Sequence, residues 1–367
     1  MNCAKKSVKI CIFKDFAVPL HPKMICEEIH NAISALAVNY AADQICVLID
    51  EKVADRAASI LDPQWPTLSL AVSEQKKSLE TVQQIWDFLF AHGITRRGLL
   101  ICIGGGILTD LGGFAAATYK RGIDYINVPT TLLAMIDAST GGKTGINYGG
   151  LKNSIGCFAP PIETLIWTGW LETLPTKEVL SGFGEMLKMG LIVNDLWGAL
   201  MRYDLDTMPI DSLQPLIAQC VEAKERIVAT DPKEEGLRKV LNFGHTFGHA
   251  LEEKSMDAHA RSGGEPLDHG YAVVYGLIAE LYLSVTKLGC PKEPLQQLTQ
   301  LMLHYYGKPN CKCSDREALI ALMQQDKKNE RTAQINCTLI QNIGSPLINQ
   351  VITSEEANEA LEYLFSL

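Results

Sequence analysis

Two histidines four residues apart form the stretch with the clearest capacity for chemistry. His245 and His249 lie in Leu241–Glu252, and a helix there places both imidazoles on one face, one turn apart. Gly244 and Gly248 each cost such a helix about 1 kcal/mol relative to alanine, which indicates that something must approach the backbone closely. A metal ion with its substrate is the leading interpretation. The alternative is a pair of core histidines on a tightly packed helix.

Two further metal donors lie on other predicted helices. Residues 176–193 are apolar nearly all round, so Glu185 and Lys188, three residues apart, are predicted to be buried. A buried carboxylate needs a partner or a metal, and an ion pair with Lys188 is the alternative to a metal. His269 follows Asp268 at the start of another apolar helix, where it can face a site or cap the helix. Two imidazoles and one carboxylate would make an acceptable open zinc site.

A glycine-rich turn provides a separate candidate site. Gly104–Gly106 follows the apolar run Leu99–Ile103, and its bare N–H groups at a helix start suit a pyrophosphate. The spacing is not GxGxxG, and tight turns also use glycine for steric reasons. Asp50 could accept a hydrogen bond from a nucleoside hydroxyl or cap a helix. Glu74 and Lys77 flank the following turn and are solvated charges unless a ribose binds there.

Residues 129–153 form a stretch that is rich in glycine and poor in helical pattern. The segment Gly141–Gly145 superficially resembles a P-loop, but Ala138 stands where the first glycine should be, so we reject the NTPase reading. The stretch holds four polar residues that could project into a cleft: Asp137, Lys143, Lys152 and Asn153. Surface lysines on a flexible loop are the alternative.

The elements that would position these residues change character near residues 168–175. Before that point, buried strands are predicted at Val8–Phe13, Ile45–Ile49, Leu68–Val72, Leu99–Ile103 and Tyr125–Val128. They alternate with helices at 25–37, 53–61, 78–91 and 110–119, which indicates a parallel sheet covered by helices on both faces. After that point, long helices are predicted at 176–193, 211–230, 236–252, 270–287, 293–305, 315–325 and 355–366.

Composition limits the class of protein. The 367 residues are 47% hydrophobic and 20% charged, typical of a globular protein with two domains. The net charge of −9 argues against a general attraction to nucleic acid or an anionic membrane. Eleven cysteines without CxxC pairs indicate reduced thiols. No signal-peptide pattern or apolar run of about 20 residues is recognised, so a cytoplasmic location is expected.

Six cations lie in apolar or glycine-rich segments where isolated charge would be expensive: Arg121, Lys143, Lys152, Lys188, Lys224 and Arg238. A ligand with more than one negative charge would relieve that cost. Together with the metal donors and the glycine turn, these cations indicate an enzyme that binds a metal, a dinucleotide and a polyanionic substrate.

Several motifs resemble those of one known family in order and spacing. They are Gly104–Asp110, Tyr119–Gly122, Val128–Ala134, Asp137–Gly145, Glu185–Lys188, Leu241–His249, His269–Gly270 and Asp326–Lys328. Over nearly its whole length the chain resembles the 3-dehydroquinate synthases, members of the sugar-phosphate cyclases. The resemblance implies a Rossmann-like α/β NAD-binding domain over residues 1–170 and an all-α metal- and substrate-binding domain over residues 171–367, with a cleft between them.

The resemblance also implies a reaction and its cofactors. The substrate would be 3-deoxy-D-arabino-heptulosonate 7-phosphate, which is converted to 3-dehydroquinate and phosphate in the shikimate pathway of aromatic amino acid biosynthesis. NAD would be regenerated within each turnover. Zinc or cobalt would be held by Glu185, His245 and His269. A homodimer is implied, because Arg121 would reach the phosphate in the neighbouring subunit's site.

Positions that match the family's motifs imply roles for further residues. The NAD site would comprise Asp50, Glu74, Lys77, Gly104, Gly105, Gly106, Asp110, Thr130, Thr131, Lys143, Lys152 and Thr173. The substrate would contact Arg121, Lys152, Asn153, Lys188, Lys224, Arg238, Asn242, His249, and Lys327 or Lys328, with Lys224 and Arg238 on its carboxylate. The catalytic residues would be Asp137, Lys143, Lys188, Asn242 and His249.

Three departures from the family pattern and two other enzymes must be considered. Tyr271 stands where the HGEAV-type motif has Glu, and the segment before His269 is some eight residues longer than expected. These two features put the support of His269 in doubt. Thr168-Gly169 replaces an acidic residue. Together the departures put the detailed geometry and the rate in doubt rather than the reaction. The alternative enzymes are a metal-dependent polyol dehydrogenase of the glycerol type and a cyclase acting on sedoheptulose 7-phosphate. A degenerate scaffold without catalytic activity is a third possibility.

Overall fold

The computed structural model describes residues 9–12, 22–263, 265–311, 313–325 and 334–367. The described residues form two compact units. The first runs up to Pro175 and includes Pro209–Val221, whereas the second comprises Thr176–Met208 and Glu222–Leu367. The helix that begins at Ile210 therefore starts in one unit and ends in the other.

A six-stranded, wholly parallel sheet lies at the centre of the first unit. Its strands are β1 (Lys9–Ile12), β2 (Ile45–Asp50), β3 (Thr67–Leu70), β4 (Leu99–Gly104), β5 (Asp124–Pro129) and β8 (Glu163–Ile166), in the order β1-β8-β5-β4-β2-β3. Strands β2 and β4 are buried at every position, as expected for a parallel sheet covered on both faces. All five predicted strands are confirmed, and β8 is an addition.

Besides the first part of the helix that begins at Ile210, the described residues of the parallel-sheet unit form the α-helices α1 (Pro22–Ala37), α2 (Ala54–Ala57), α3 (Leu79–Ala91) and α4 (Gly106–Thr118). The helix predicted at 53–61 is instead the short α2 between two 3-10 turns. Helix α4 begins four residues earlier than predicted, directly after the glycine turn. The start of α4 is therefore placed at the carboxyl end of β4, where an anion could be bound.

The glycine-rich stretch contains a π-helical turn, Ala134–Ala138, and from Lys143 onward an antiparallel hairpin rather than a flexible loop. Strands β6 (Lys143–Tyr148) and β7 (Leu151–Phe158) are joined by Gly149 and Gly150, both with positive φ. A two-glycine turn between paired strands is a strong hairpin signal, because it provides the left-handed backbone that such turns need. The hairpin fixes the positions of the polar residues that the sequence placed there.

The second unit is mostly helical, as predicted. Its helices are α5 (Thr176–Ile192), α6 (Trp197–Leu200), the last part of α7 (Ile210–Thr230), α8 (His245–Ser262), α9 (His269–Leu288), α10 (Glu293–Leu301), α11 (Arg316–Gln325) and α12 (Ser354–Ser366). It also contains an antiparallel hairpin that was not predicted, formed by β9 (Ile335–Ile340) and β10 (Pro346–Ile352). Among the described helices, α9 alone is long and apolar enough to cross a membrane, and 67% of its apolar window is buried inside the protein.

The region around the histidine pair differs from the continuous helix predicted at 236–252. A 3-10 turn, Leu237–Asn242, is followed by Gly244 in the left-handed conformation, and α8 begins only at His245. Helix α8 then continues to Ser262, beyond the predicted end at residue 252. His245 is therefore the first residue of its helix.

The glycines of α8 serve the packing of two helices. A Cβ at Gly248 would lie 2.9 Å from the carbonyl oxygen of Ala272, and a Cβ at Gly244 would lie 2.8 Å from Leu277. Both neighbours belong to α9. The close approach inferred from the sequence is real, but the neighbour at these glycines is a helix rather than a ligand. The tight contact brings the first residue of α8 close to the first residue of α9.

Candidate functional site

The three predicted metal donors converge at one point of the helical unit. Glu185 lies in the middle of α5, and His245 and His269 are the first residues of α8 and α9. Glu185 Oε1 lies 3.4 Å from His245 Nε2 and 3.3 Å from His269 Nε2. Donors about 2.0–2.1 Å from a tetrahedral ion are about 3.3–3.4 Å from one another. The spacing therefore matches the edges of a tetrahedral zinc site.

The protonation of His245 explains why these atoms need a cation. Its Nδ1 lies 3.1 Å from the carbonyl oxygen of Phe243, which can only accept, so Nδ1 carries the hydrogen. Burial, reinforced by the charge on Lys188, lowers the pKa of His245 to about 4, so the ring is neutral at pH 7. The lone pair of Nε2 then faces the carboxylate of Glu185. A cation between them turns this repulsion into coordination.

Glu252 plays the corresponding part for His269. Its carboxylate lies 3.3 Å from His269 Nδ1, so Nε2 is left to face Glu185. Burial lowers the pKa of His269, but the carboxylates of Glu252 and Glu185 outweigh it and raise the pKa to about 10. Such carboxylate–histidine pairs orient metal ligands and increase their basicity. Tyr271, which stands where the family motif has Glu, packs against Tyr306, and the centroids of the two rings are 4.8 Å apart.

The role of Glu252 was not predicted, although the sequence carries a signal for it. His245, His249 and Glu252 stand at positions i, i+4 and i+7, which share one face of a helix. The predicted helix, 236–252, already included Glu252, but only its two histidines were considered as functional residues. Glu252 is 5% exposed in the structure, and a buried carboxylate on the histidine face points to the same site.

Lys188 forms an ion pair with Glu185, which was the alternative to a metal in the sequence analysis. Its Nζ contacts Glu185 Oε2, and both side chains are almost fully buried. Burial would raise the pKa of Glu185, but Lys188 and His245 hold it well below its usual value, so the carboxylate is ionised. The ion pair and a metal are therefore compatible, with Oε2 facing Lys188 and Oε1 facing the histidines.

Four other predicted residues of the helical unit lie on three elements. His249 is half-buried, and its ring centroid is 5.1 Å from that of His245. Lys224 on α7 and Arg238 in the 3-10 turn are 4% and 2% exposed, and Arg238 donates to the carbonyl of Pro232 at 2.9 Å. The amide of Asn242 donates to Glu234 at 2.7 Å. The structure thus brings His249 to the metal donors and places two cations in the interior of the protein.

In the parallel-sheet unit, the glycine turn lies beside the end of the neighbouring strand. The N–H of Thr130 donates to the carbonyl of Gly104 at 3.0 Å. A Cβ at Gly105 would lie 3.2 Å from the methyl of Thr131, and a Cβ at Gly106 would lie 2.8 Å from Ala138. Ligands of open parallel sheets bind at the carboxyl ends of the strands, where these residues lie. The glycine turn and the two threonines, which were predicted for one site, thus lie side by side at the ends of β4 and β5.

A second group in the same unit combines residues predicted for cofactor and substrate. Buried Lys77 contacts the carboxylate of Asp110 and the amide oxygen of Asn153, the latter at 2.5 Å. Lys152 lies 3.8 Å from Glu74. Burial raises the pKa of Asp110, and Lys77 opposes that rise. Five predicted residues from three separate segments thus form one charged cluster.

Five other residues of this unit were also predicted to belong to the site. The side chain of Asp50 accepts from the N–H of Lys52 at 3.1 Å, which is the capping role left open by the sequence. Thr173 accepts from Arg56 at 3.1 Å. The remaining positions are the half-buried Asp137 and the exposed Lys143 and Arg121. Lys327 and Lys328 lie outside the described residues.

Family comparisons agree with this arrangement. Residues 67–181 match the model of the 3-dehydroquinate synthase N-terminal domain, and residues 182–329 match that of the C-terminal domain. The two matches adjoin and cover more than half of the chain. The chain belongs to the 3-dehydroquinate synthase family. All three metal donors fall within the C-terminal match, and the glycine turn falls within the N-terminal one.

Relatives and solved structures extend the likeness to both units. A 3-dehydroquinate synthase of Parabacteroides distasonis is 41% identical over 346 residues, which are 93% of this chain and 96% of the relative. The structure of a 2-epi-5-epi-valiolone synthase from Streptomyces hygroscopicus with NAD+ and Zn2+ bound is 26% identical, with a TM-score of 0.78 over 98% of this chain and 99% of that one. A 2-deoxy-scyllo-inosose synthase complexed with carbaglucose-6-phosphate, NAD+ and Co2+ shares the fold at 22% identity and a TM-score of 0.77, over 92% and 94% of the chains.

Proposed function

We propose that this protein is a 3-dehydroquinate synthase that converts 3-deoxy-D-arabino-heptulosonate 7-phosphate to 3-dehydroquinate and phosphate. One observation supports the proposal most strongly. Glu185 Oε1 and the Nε2 atoms of His245 and His269 face one another, while each Nδ1 has its own oxygen partner. In a member of this family, such a donor set is suited to the metal on which the reaction depends.

Zinc or cobalt and NAD are the proposed cofactors. When bound, the metal would supply a Lewis acid to a substrate hydroxyl, and NAD would supply a reversible hydride acceptor. The metal would be held by Glu185, His245 and His269. The NAD pyrophosphate would lie at the Gly104–Gly106 turn, where the first N–H groups of α4 are available.

The chain's own residues would mainly bind and orient. Lys188 keeps the metal-facing carboxylate ionised and oriented, because it pairs with Glu185 Oε2 in a buried position. Glu252 keeps the hydrogen on Nδ1 of His269, which leaves Nε2 available as a ligand. The half-buried His249, next to His245, is placed to move a proton or bind phosphate. Holding a flexible polyanion in one pose is a large part of such catalysis.

Substrate recognition would depend on two buried cations. Lys224 and Arg238 are both less than 5% exposed, a position that an anionic ligand would favour. We propose that they bind the substrate carboxylate, which sedoheptulose 7-phosphate lacks. The proposed phosphate ligands are Lys152, Asn153, Asn242, His249 and one of Lys327 and Lys328. Asp137 and Lys143 would complete the catalytic group.

A phosphate-release assay tests the function. With zinc or cobalt and a catalytic amount of NAD, the protein should release phosphate from the heptulosonate phosphate without net NADH, and should not act on sedoheptulose 7-phosphate. Chelation should stop the reaction, and added metal should restore it. Glu185→Ala should abolish both metal binding and phosphate release, whereas Glu178→Ala, on the same helix, should change neither. Net NADH from a simple polyol, without phosphate release, would favour a polyol dehydrogenase instead.

A homodimer in the cytoplasm completes the proposal, with Arg121 reaching the neighbouring subunit's site. Arg121 is exposed and has a φ of 70°, in a turn that Lys120 and Gly122 share. Refolding Arg121→Ala together with Glu185→Ala should restore about one quarter of the wild-type activity, since half of the dimers would be mixed and each would have one complete site. Activity that stays at the level of the separate variants would contradict the shared site.

A further inference from the structure

A buried carboxylate on α9 holds the turn from which the first metal histidine projects. Glu280 is 0% exposed, and its carboxylate accepts from the N–H of Gly244 at 2.6 Å and from the N–H of Thr246 at 3.1 Å. These two N–H groups are on either side of His245 in the chain. Glu280 thus bonds directly to the backbone that carries one metal donor.

The first N–H groups of a helix have no partner within the helix, so a buried helix start needs acceptors from elsewhere. Gly244 has no side chain that could provide an acceptor. Its φ of 80° is the left-handed conformation of the turn that precedes α8. Glu280 provides two carboxylate oxygens from the neighbouring helix. It lies one turn beyond Gly276, where a Cβ would come within 1.9 Å of the Gly244 carbonyl oxygen. Helix α9 therefore fixes this turn both by contact and by hydrogen bonds.

Charge gives the carboxylate a second effect. The N-terminal end of a helix carries a partial positive charge, and His245 is the first residue of α8. A cation held by His245 would lie close to that positive end, which opposes its binding. A carboxylate bonded to the same N–H groups offsets part of the repulsion. Its isosteric amide would keep the shape but lose the charge and one of the two acceptor oxygens.

We propose that Glu280 is a positioning residue of the metal centre. It fixes the Gly244 turn so that Nε2 of His245 faces Glu185, and it reduces the positive potential at the start of α8. The inference rests on the metal site of the proposed function. It assigns a role in metal binding to a residue whose own carboxylate bonds to the backbone rather than to the metal.

Ser284 offers a matched control because it is equally buried and lies one turn further along α9. Its hydroxyl donates to the backbone carbonyl of Glu280 at 2.7 Å and accepts from the N–H of Ile340 at 3.0 Å. Ser284→Ala removes these bonds and leaves the carboxylate of Glu280 in place. Its effect should therefore be a loss of stability without a loss of metal affinity.

The test compares metal affinity and the cobalt spectrum in three full-length proteins. Zinc affinity is measured by competition with a chelator, under conditions where circular dichroism shows each protein to be folded. Glu280→Gln should bind zinc about 10- to 100-fold more weakly than wild type and should change the visible absorption bands of bound cobalt. Ser284→Ala should match wild type in both. Equal affinity and spectra for Glu280→Gln and wild type would overturn the inference.

A further variant and a separate outcome keep the test decisive. If Glu280→Gln does not fold, Glu280→Asp replaces it in the test, because it keeps the charge on a shorter side chain. Glu280→Asp should show an intermediate loss of zinc affinity. A zinc affinity no lower than that of Ser284→Ala would overturn the inference. If wild type itself binds no metal, the proposed function fails at its metal site. If wild type binds metal and Glu280 variants bind it equally well, only the role of Glu280 is lost.

Discussion

The carbonyl oxygen of Gly244 lies so close to Gly276 that a Cβ added at Gly276 would be 1.9 Å from this oxygen. Together with the contact between Gly248 and Ala272, this places α8 and α9 backbone against backbone. Each helix begins with a metal-donor histidine. The distance between the two helix starts therefore depends on glycine packing along the helices.

Gly276→Ala tests this dependence. The new methyl would force the helices apart because its nearest neighbour is backbone, and we expect a loss of about 3 kcal/mol in the free energy of unfolding. Zinc affinity of the folded fraction should fall as well. Gly198→Ala is the control, since its Cβ would meet only the end of the Arg202 side chain at 3.3 Å. Urea unfolding and a zinc titration provide the two measurements, and a Gly276→Ala protein with unchanged zinc affinity would contradict the argument.

Glu252→Gln tests the partner of His269. The amide can place an N–H against Nδ1, which favours the hydrogen on Nε2 and so blocks the ligand position. Loss of such a partner weakens metal binding about 10- to 100-fold. Competition titrations should show this loss for Glu252→Gln and wild-type affinity for Glu253→Gln, the adjacent carboxylate on α8. If both variants bind zinc equally tightly, Glu252 does not select the form of His269.

The metal donors could be predicted because their signals are local. A histidine pair at i,i+4 and a carboxylate in an apolar helix can be recognised without knowledge of the fold. The partners of these donors could not be predicted in the same way. Glu280 meets Gly244 only because α8 packs on α9, and the sequence separation of 36 residues carries no periodic signal. Glu252 had a local signal, its place on the histidine face of the predicted helix, but this signal was not used.

The same distinction applies to the parallel-sheet unit. Strands β2 and β4 were predicted because each is a fully buried apolar run. Strand β8 has only four residues, Glu163–Ile166, and begins with a charged side chain, so its sequence does not stand out. The β6–β7 hairpin carried a recognisable turn at Gly149 and Gly150. The stretch was instead considered as a loop that carries lysines, and the turn signal was not used.

Removing the buried lysine of the parallel-sheet unit should affect both stability and NAD binding. Lys77→Met would leave the largely buried Asp110 without its cation, a change that costs about 3 kcal/mol for a buried pair. The pKa of Asp110, already raised by burial, should rise further. Adding Asp110→Asn should recover part of the stability, because no unpaired charge then remains.

The control for this prediction is Lys76→Met, at an exposed position next to Lys77. Unfolding midpoints and NAD affinity by calorimetry should both be close to wild type for this control. A Lys77→Met protein as stable as the control would show that the contact with Asp110 contributes little. Recovery of NAD affinity in the Lys77→Met/Asp110→Asn protein would show that the lysine acts by neutralising the carboxylate rather than by touching the cofactor.

Metal binding should release a proton and strengthen as the pH rises. In the metal-free protein the pKa of His269 is raised to about 10, so this ring is protonated at neutral pH, whereas His245, with a pKa of about 4, is not. A metal ion must therefore displace one proton, from Nε2 of His269. The apparent affinity should rise about tenfold per pH unit between pH 6 and pH 9. Calorimetry in two buffers of different ionisation enthalpy would measure the proton release. A release near zero together with a flat affinity profile would mean that His269 is already neutral before the metal binds.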